Sequence, residues 1–221
     1  METHNPNNSV IKMSLTWMIL GLVIATITSF ITITSQPILN FFAASQWIFW
    51  GFLIAKLALV WYLSANIDTL STSVARGLFI IYATTTGIFF GIVLLAYAGA
   101  PVFAIFLSTV AVFGVLAMFG YKTERDLSSW GKYLIAGLIG IIIAAVINIF
   151  IGSTMADLII NIIGVIVFTG FTAYDMQRIK YFNTEIIDPE MRKRYGILGA
   201  LSLFLDFINL FLSLLRIFGR R

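Results

Sequence analysis

GLFIIYATTTGIFFGIVLLAYAGAPVFAIFLSTVAVFGVLAMFGY, the stretch from Gly77 to Tyr121, runs for 45 residues without one charge. A single α-helix of this length would measure about 67 Å, which is twice the thickness of the hydrocarbon core of a bilayer. The chain must therefore fold back inside this stretch. The Gly-Ala-Pro sequence that ends at Pro101 supplies the turn, because glycine and proline interrupt helices. The stretch predicts two membrane spans, at about 77–97 and 102–121.

Five further segments are apolar and long enough to cross a bilayer as helices. The first is too long for the apolar core of a signal peptide, so we interpret it as a retained span. A membrane β-barrel is excluded, because its strands alternate polar and apolar residues and these segments are apolar throughout. The predicted fold is an all-α polytopic membrane protein with seven transmembrane helices. The five segments lie at 13–34, about 46–64, 133–151, 158 to about 179 and 196–218.

The composition agrees with a membrane protein. The chain is 60% hydrophobic and only 11% charged, and its mean hydropathy is +0.98. A soluble domain is about 45–50% apolar and about 25% charged, and a disordered chain is more polar still. We predict a polar N-terminal tail at 1–12, a single seven-helix membrane domain at 13–219 and a short basic C-terminal end at 220–221.

The charged and reactive residues exclude several classes of function. The net charge is +4, but the basic residues are spread in short runs between apolar segments, which is typical of membrane loops rather than of nucleic-acid binding. There is no cysteine, and the one histidine is His4 in the tail. Thiolate chemistry and disulfides are therefore excluded, and a transition-metal site or a Ser-His-Asp triad is disfavoured. We expect no enzymatic activity, no catalytic residue and no cofactor.

The distribution of lysine and arginine predicts the orientation. Short loops rich in these residues stay in the cytoplasm. With the N-terminus inside, ten of them fall in cytoplasmic segments and none in the outer loops, while three lie at the C-terminal end. We therefore place the N-terminus in the cytoplasm and the C-terminus outside, with a re-entrant last helix as the alternative. The ten are Lys12, Arg76, Lys122, Arg125, Lys132, Arg178, Lys180, Arg192, Lys193 and Arg194.

Three charged side chains lie inside the predicted spans: Asp175 in the sixth, Asp206 in the seventh and Lys56 in the second. A charge at the centre of a spanning helix costs about 2.5–3.5 kcal/mol on insertion scales, so such residues usually mark an ion or proton path. The helical rise places Asp175 about 6 Å and Asp206 about 15 Å from the cytoplasmic ends of their spans. Consecutive spans are antiparallel, so we expect these two acids to face each other.

A facing pair of acids would titrate as one unit. Two carboxylates in contact cannot both ionise cheaply, so we expect Asp175 and Asp206 to share a proton near neutral pH. The shared proton would make a strong hydrogen bond between the helices. Its loss would put two negative charges in contact, which either separates the helices or attracts a cation. Calcium takes carboxylate oxygen ligands. Both residues are therefore candidates for a pH sensor and gate, and for metal ligands.

Simpler roles remain open. Asp175 can pair with Arg178 one turn along the same helix. Asp206, whose nearest basic residue in sequence is Arg216, can form a purely structural hydrogen bond between helices. Lys56 can snorkel to the interface, or it can serve, like Arg178, as a counter-ion to an acid. Small residues predicted at helix-packing positions are Gly87 and Gly91.

Two stretches resemble the signature segments of the Bax inhibitor-1 family: FTAYDMQRI at 171–179 and LSLFLDFINL at 201–210. LLRIFG at 214–219 is typical of the bacterial branch. The resemblance implies seven helices, with the C-terminal helix central and wrapped by the other six, and a pH-sensitive calcium leak. The family's paired aspartates match Asp175 and Asp206. Some members carry an acidic or arginine side chain in the second span, where Lys56 is the only charge here.

Two functions follow from this resemblance. The leading hypothesis is a calcium leak channel gated by protonation of the aspartate pair. The alternative is a regulatory membrane protein without flux of its own, which binds and modulates a membrane protease or another membrane partner through the charged loop 180–195. A proton-coupled transporter is less favoured, because no clear inverted repeat is visible. The absence of cysteine and the bacterial likeness indicate a plasma (inner) membrane location.

Overall fold

The protein is all-helical in the part that this computed structural model describes, residues 9–219. Eight helices and no strand occur within that range, and seven of the helices are long and apolar enough to cross a membrane. The predicted fold class is thereby confirmed. The helices are α1 (Ser9–Thr34), α2 (Gln36–Ala43), α3 (Gln46–Ala65), α4 (Thr72–Leu95), α5 (Val102–Lys122), α6 (Trp130–Ile151), α7 (Thr154–Glu185) and α8 (Pro189–Phe218).

Several helices extend beyond the predicted spans. α4 begins at Thr72 rather than at residue 77, α7 continues to Glu185, and α8 begins at Pro189. Hydropathy marks only the part of a helix that needs hydrocarbon, whereas backbone hydrogen bonding continues into polar residues on either side. For the same reason, residues 9–12, which were predicted as tail, form the first turn of α1. The predictions for residues 1–8 and 220–221 lie outside the described residues.

The short helix α2 was not predicted. Gln36, Pro37 and Asn40 lie between the first two predicted spans, where proline and asparagine favour a turn, but the structure places them in an eight-residue helix. Proline occupies the first turn of this helix, where its missing N–H group is not needed and its fixed φ angle favours the helix. The same residue type therefore starts a helix here instead of only interrupting one.

The described helices form two compact units, and each unit takes part of α7 and part of α8. The first unit consists of the chain up to Ala98 together with Phe182–Leu201, and the second consists of Gly99–Tyr181 together with the chain from Ser202.

In the first unit α1 packs along α4 at very short range. A Cβ atom on Gly87 would lie 1.7 Å from Thr28 Oγ1, and one on Gly91 would lie 2.5 Å from Thr32 Cβ. Only glycine permits this approach of the two backbones, as at many contacts between membrane helices. The predicted packing role of both glycines is confirmed.

Polar contacts in the first unit join segments that the charge pattern assigned to one side of the membrane. Arg194, in the first turns of α8, donates to the backbone oxygen of Asp68 in the α3–α4 loop. The hydroxyl of Tyr195 donates to the Asp68 carboxylate at 2.9 Å. The N–H of Val10 donates to the side-chain oxygen of Asn183 at 3.1 Å. The start of α1 and the α7–α8 connection therefore lie together.

In the second unit α5, α6, α7 and the end of α8 are packed through small and aromatic residues. A Cβ atom on Gly120 of α5 would lie 2.2 Å from the backbone oxygen of Ala173 in α7. The ring of Phe207 in α8 meets those of Phe106 and Phe113 in α5, each with centroids 5.6 Å apart. These contacts fix the stretch of α7 and of α8 that carries the two acids.

The spans differ strongly in burial. In the most apolar 18-residue stretch of α6 no residue is buried, whereas 72% of the residues in the corresponding stretch of α8 are buried. A C-terminal helix at the centre of the fold would be shielded from lipid, and the burial of α8 agrees with that expectation. The wrapping of α8 by the other six helices stays a prediction.

Candidate functional site

The structure brings Asp175 and Asp206 together within the second unit. Asp175 lies on α7 and Asp206 on α8, and they are only 8% and 5% exposed. Their side chains hydrogen-bond to each other. The expected contact between the two acids is thus present.

The contact has a chemical requirement. An ionised carboxylate is only a hydrogen-bond acceptor, so two carboxyl groups bond to each other only when one of them carries a proton. Ser202, one turn before Asp206 on α8, forms a further side-chain hydrogen bond with Asp175. Oδ2 of Asp206 is buried and has no hydrogen-bond partner in the structure. The site therefore brings together two carboxyl groups and one hydroxyl, with one carboxyl oxygen whose acceptor capacity is unused.

Along the two helices, the pair has buried apolar residues, the Ser202 hydroxyl and one cation nearby. Buried neighbours along the two helices include Ala173 and Met176 on α7 and Phe207 on α8. The Arg178 guanidinium, one turn along α7, acts electrostatically on Asp175. Among the described residues, the charges that act on the pair are Arg178 and the two carboxyl groups themselves. Arg178 thus acts on Asp175 alongside Asp206, and its predicted role as counter-ion stays a prediction.

The donor set limits which metal the site can hold. Among residues 9–219, no group of three or more histidine, cysteine, aspartate or glutamate side chains is placed to hold a metal ion. Asp175, Asp206 and the Ser202 hydroxyl supply fewer oxygen atoms than the six to eight ligands of a resident calcium ion. On these donors alone, a calcium ion would keep several water ligands.

Lys56 lies in the first unit, on α3, against aromatic rings of α4. Its ammonium nitrogen is 5.2 Å from the centroid of the Tyr82 ring and 5.0 Å from that of Phe89. These rings are two helical turns apart on one face of α4, so they border the ammonium from both sides and supply cation–π stabilisation. A role for Lys56 as counter-ion to the acids stays a prediction.

Two further residues of α7 hold the segment around Asp175 in place and were missed from sequence. The Gln177 side chain accepts a hydrogen bond from the N–H of Leu127 and donates one to the backbone oxygen of Arg125, both at 2.8 Å. Lys180 donates to the backbone oxygen of Tyr121, the residue before the last in α5, at 3.0 Å. A polar residue near a helix end carries no distinctive pattern, so no signal in the sequence distinguishes Gln177.

The charged loop 180–195, the predicted docking surface of the regulatory alternative, uses much of its charge internally. Arg192 donates to the backbone oxygen of Asn183 at 2.7 Å, and Lys193 pairs with Glu190 at 2.5 Å. Arg194 binds the α3–α4 loop, as described above. These contacts tie the loop to its own unit and leave fewer cations for a partner.

Comparison with known proteins establishes the family. Residues 7–221 match the family model described as inhibitor of apoptosis-promoting Bax1. The chain belongs to the Bax inhibitor-1 family. This match covers all eight helices and both aspartates of the pair. The likeness to the family is therefore not limited to the two signature stretches.

Bacterial relatives support the assignment. The inner membrane protein YbhL of Escherichia coli is 40% identical over 93% of this chain and 88% of its own length. A protein of Borreliella burgdorferi is 35% identical over 92% of this chain and 88% of its own. A membrane protein of Streptococcus pyogenes is 42% identical over 78% of this chain and 75% of its own.

Proposed function

We propose that the protein is a pH-sensitive calcium leak channel of the bacterial plasma membrane, gated by the proton that Asp175 and Asp206 share. The observation that carries this proposal is the buried hydrogen bond between the two carboxyl groups, next to a carboxyl oxygen without a partner. A protonated carboxyl pair is unnecessary for holding two apolar helices together, and intramembrane acids usually serve an ion or proton path.

In the proposed mechanism the proton closes the channel. While it is present, the bond between Asp175 and Asp206 joins α7 to α8. Rising pH removes it and leaves two negative charges in contact in apolar surroundings, with Arg178 as the cation acting on them. Repulsion between the carboxylates loosens the two helices, and the negative charge attracts a cation. Leak therefore increases with pH.

The small number of oxygen donors favours conduction over storage. An ion passes through a channel only if its sites bind it weakly enough to release it. Two carboxylates and the Ser202 hydroxyl attract calcium by charge without replacing its whole hydration shell. In this proposal calcium is the permeant ion rather than a cofactor, and the protein is not an enzyme.

The location in the inner membrane is supported by the name of the Escherichia coli relative. The cytoplasmic N-terminus is supported by the distribution of lysine and arginine. With that orientation, Asp175 lies in the cytoplasmic half of α7, so we expect the gate to respond to cytoplasmic pH.

The experiment is calcium flux into vesicles that contain only the purified protein and a calcium-sensitive dye, measured between about pH 5 and pH 8. We expect flux that rises with pH and that loses most of its pH dependence in Asp206→Asn. Asp157→Asn is the matched control, since this aspartate of the same unit pairs with Arg216 at 3.4 Å instead.

The result also separates the alternatives. Vesicles that never conduct calcium at any pH would contradict the channel and favour the regulatory protein that modulates a membrane protease. Flux that appears only with a co-transported substrate would favour a transporter. A pH response that survives unchanged in Asp206→Asn would remove the gate from this residue.

A further inference from the structure

A cavity of about 480 Å³ opens beside the helix that carries Asp175. It lies in the second unit, between α7 and the α5–α6 loop. Aromatic, charged and amide side chains all contribute to its wall. Its lining residues are Asp126, Ser128, Tyr174, Gln177, Arg178 and Tyr181.

The cavity contains one charge of each sign. Arg178 contributes a guanidinium from α7, and Asp126 contributes a carboxylate from the loop. The amide and hydroxyl of Ser128 donate to the two carboxylate oxygens of Asp126, at 2.8 and 2.9 Å. These bonds lower the pKa of Asp126, so it stays ionised at neutral pH. The two tyrosines place aromatic rings in the same wall.

The two charges are held on a fixed frame. Gln177, itself part of the wall, bonds to the backbone of Leu127 and Arg125 on either side of Asp126 in sequence. The loop that carries Asp126 is thereby attached to the helix that carries Arg178. Since this arrangement is already fixed without a ligand, binding loses little conformational entropy in ordering it.

The exposed residues around the cavity place it at headgroup level. Tyr181 is 60% exposed, and at the start of α6 Trp130 and Tyr133 are 47% and 69% exposed. Tryptophan and tyrosine concentrate where the bilayer meets water. The ammonium of Lys132 lies 5.0 Å from the Tyr133 ring, at the same helix end. The molecules present in quantity at this depth are phospholipid headgroups.

We propose that this cavity binds the headgroup of an ethanolamine phospholipid, with the phosphate on Arg178 and the ammonium on Asp126. Guanidinium groups bind phosphate through charge-assisted hydrogen bonds. A carboxylate and tyrosine rings attract an ammonium group. A purely anionic headgroup would meet the repulsion of Asp126, and a free cation would meet that of Arg178. A headgroup that carries both charges complements both residues. This site goes beyond the proposed channel and does not depend on calcium flux.

The test measures lipid binding to the purified full-length protein by native mass spectrometry in detergent. Phosphatidylethanolamine is titrated against phosphatidylethanol with the same acyl chains, since the two lipids share a phosphate and differ in the ammonium group. We expect the ethanolamine lipid to bind about fivefold more tightly, which is the upper range for an exposed ion pair. Equal affinity of the two lipids for the unmodified protein would overturn the proposal.

Two substitutions with matched controls locate the site. Asp126→Asn should remove the preference for the ethanolamine lipid, and Arg178→Gln should weaken binding of both lipids. Glu124→Gln and Arg125→Gln remove charges of the same kind from the same loop without touching the cavity wall, and both should bind like the unmodified protein. An equal effect of Glu124→Gln and Asp126→Asn would assign the preference to the general charge of the loop. If Asp126→Asn does not fold, the comparison of the two lipids on the unmodified protein still decides.

Discussion

The side-chain oxygen of Gln177 on α7 accepts the backbone N–H of Leu127 at 2.8 Å, so a helix side chain holds a loop that is 50 residues earlier in the chain. The amide nitrogen of Gln177 completes the attachment by donating to the backbone oxygen of Arg125. Asp175 precedes Gln177 by two residues. The loop therefore stabilises the segment of α7 on which the acid pair depends, without contacting the pair through these bonds.

Gln177→Leu should release this loop. A hydrogen bond contributes about 1 kcal/mol, so each lost bond should speed local opening by about fivefold. The measurement is hydrogen exchange at the amide of Leu127, which becomes faster in the variant. Gln36→Leu is the control, because the Gln36 side chain bonds only to Asn40 within α2. Unchanged exchange at Leu127 would show that the loop is held by other contacts.

The glycine contacts of α4 predict a contrast within one helix. Gly87→Ala should destabilise the protein, because the new Cβ atom would overlap Thr28 and the backbone of Ala25 in α1. Overpacking of this kind costs about 1–3 kcal/mol. Gly77→Ala should be neutral or slightly stabilising, since no atom lies within 4 Å of its Cβ position and alanine favours helix. Thermal unfolding in detergent, followed by tryptophan fluorescence, distinguishes the two. A melting temperature lowered equally by both changes would contradict close packing at Gly87.

The spans were predictable because one physical requirement, a run of apolar residues as long as the bilayer is thick, determines them. The ends of α7 and α8 were not predictable, because outside the hydrocarbon the helices continue through backbone hydrogen bonds between polar residues, which hydropathy does not measure. α2 was missed because Pro37 is equally compatible with a turn and with the first turn of a helix.

The acid pair was predictable for a related reason, namely that a carboxyl inside an apolar span is costly and stands out. Its partners were less visible. Ser202 lies one turn before Asp206, a spacing that could have indicated it, but serine is common in membrane helices. Gln177 bonds to a loop whose position depends on tertiary packing. The cavity beside Arg178 depends on the same packing and left no pattern in the sequence.

The topology can be tested with single cysteines, because the natural chain has none. Cysteines at Ser129 and Glu185, both exposed, should react with an impermeant reagent only when it reaches the cytoplasmic face. A cysteine at Ala98, in the exposed turn between α4 and α5, should react in intact cells. Asn183 is unsuitable, because it is buried and its side chain accepts the N–H of Val10. Labelling of position 129 or 185 in intact cells would reverse the orientation.

The cation beside the pair should set the pH at which leak begins. A nearby positive charge favours the ionised carboxylate, so Arg178→Gln should shift the midpoint of the flux curve upward, by about half to one pH unit. Arg216→Gln is the control, because Arg216 pairs with Asp157. Lys56→Met tests the other predicted counter-ion in the same assay, and a shift of the midpoint in the same direction would establish that role. An unchanged midpoint in Lys56→Met would limit that ammonium to its contacts with Tyr82 and Phe89.

The acid pair makes the most specific prediction, because removing either carboxyl group removes the same shared proton. Asparagine keeps nearly the shape of aspartate but does not ionise, so Asp175→Asn and Asp206→Asn should each remove most of the pH dependence of flux between about pH 5 and pH 8. The double variant should be little worse than either single one, since residues that share one interaction show non-additive effects.

Independent roles would give a different pattern. If Asp175 served only Arg178, and Asp206 only stabilised the contact between α7 and α8, the two substitutions would alter flux separately and their effects would add. Protein yield and melting temperature of all four forms exclude a loss of fold as the cause. Additive effects, or a pH response that persists in both single variants, would show that the hydrogen bond between the two carboxyl groups is structural and that the gate lies elsewhere.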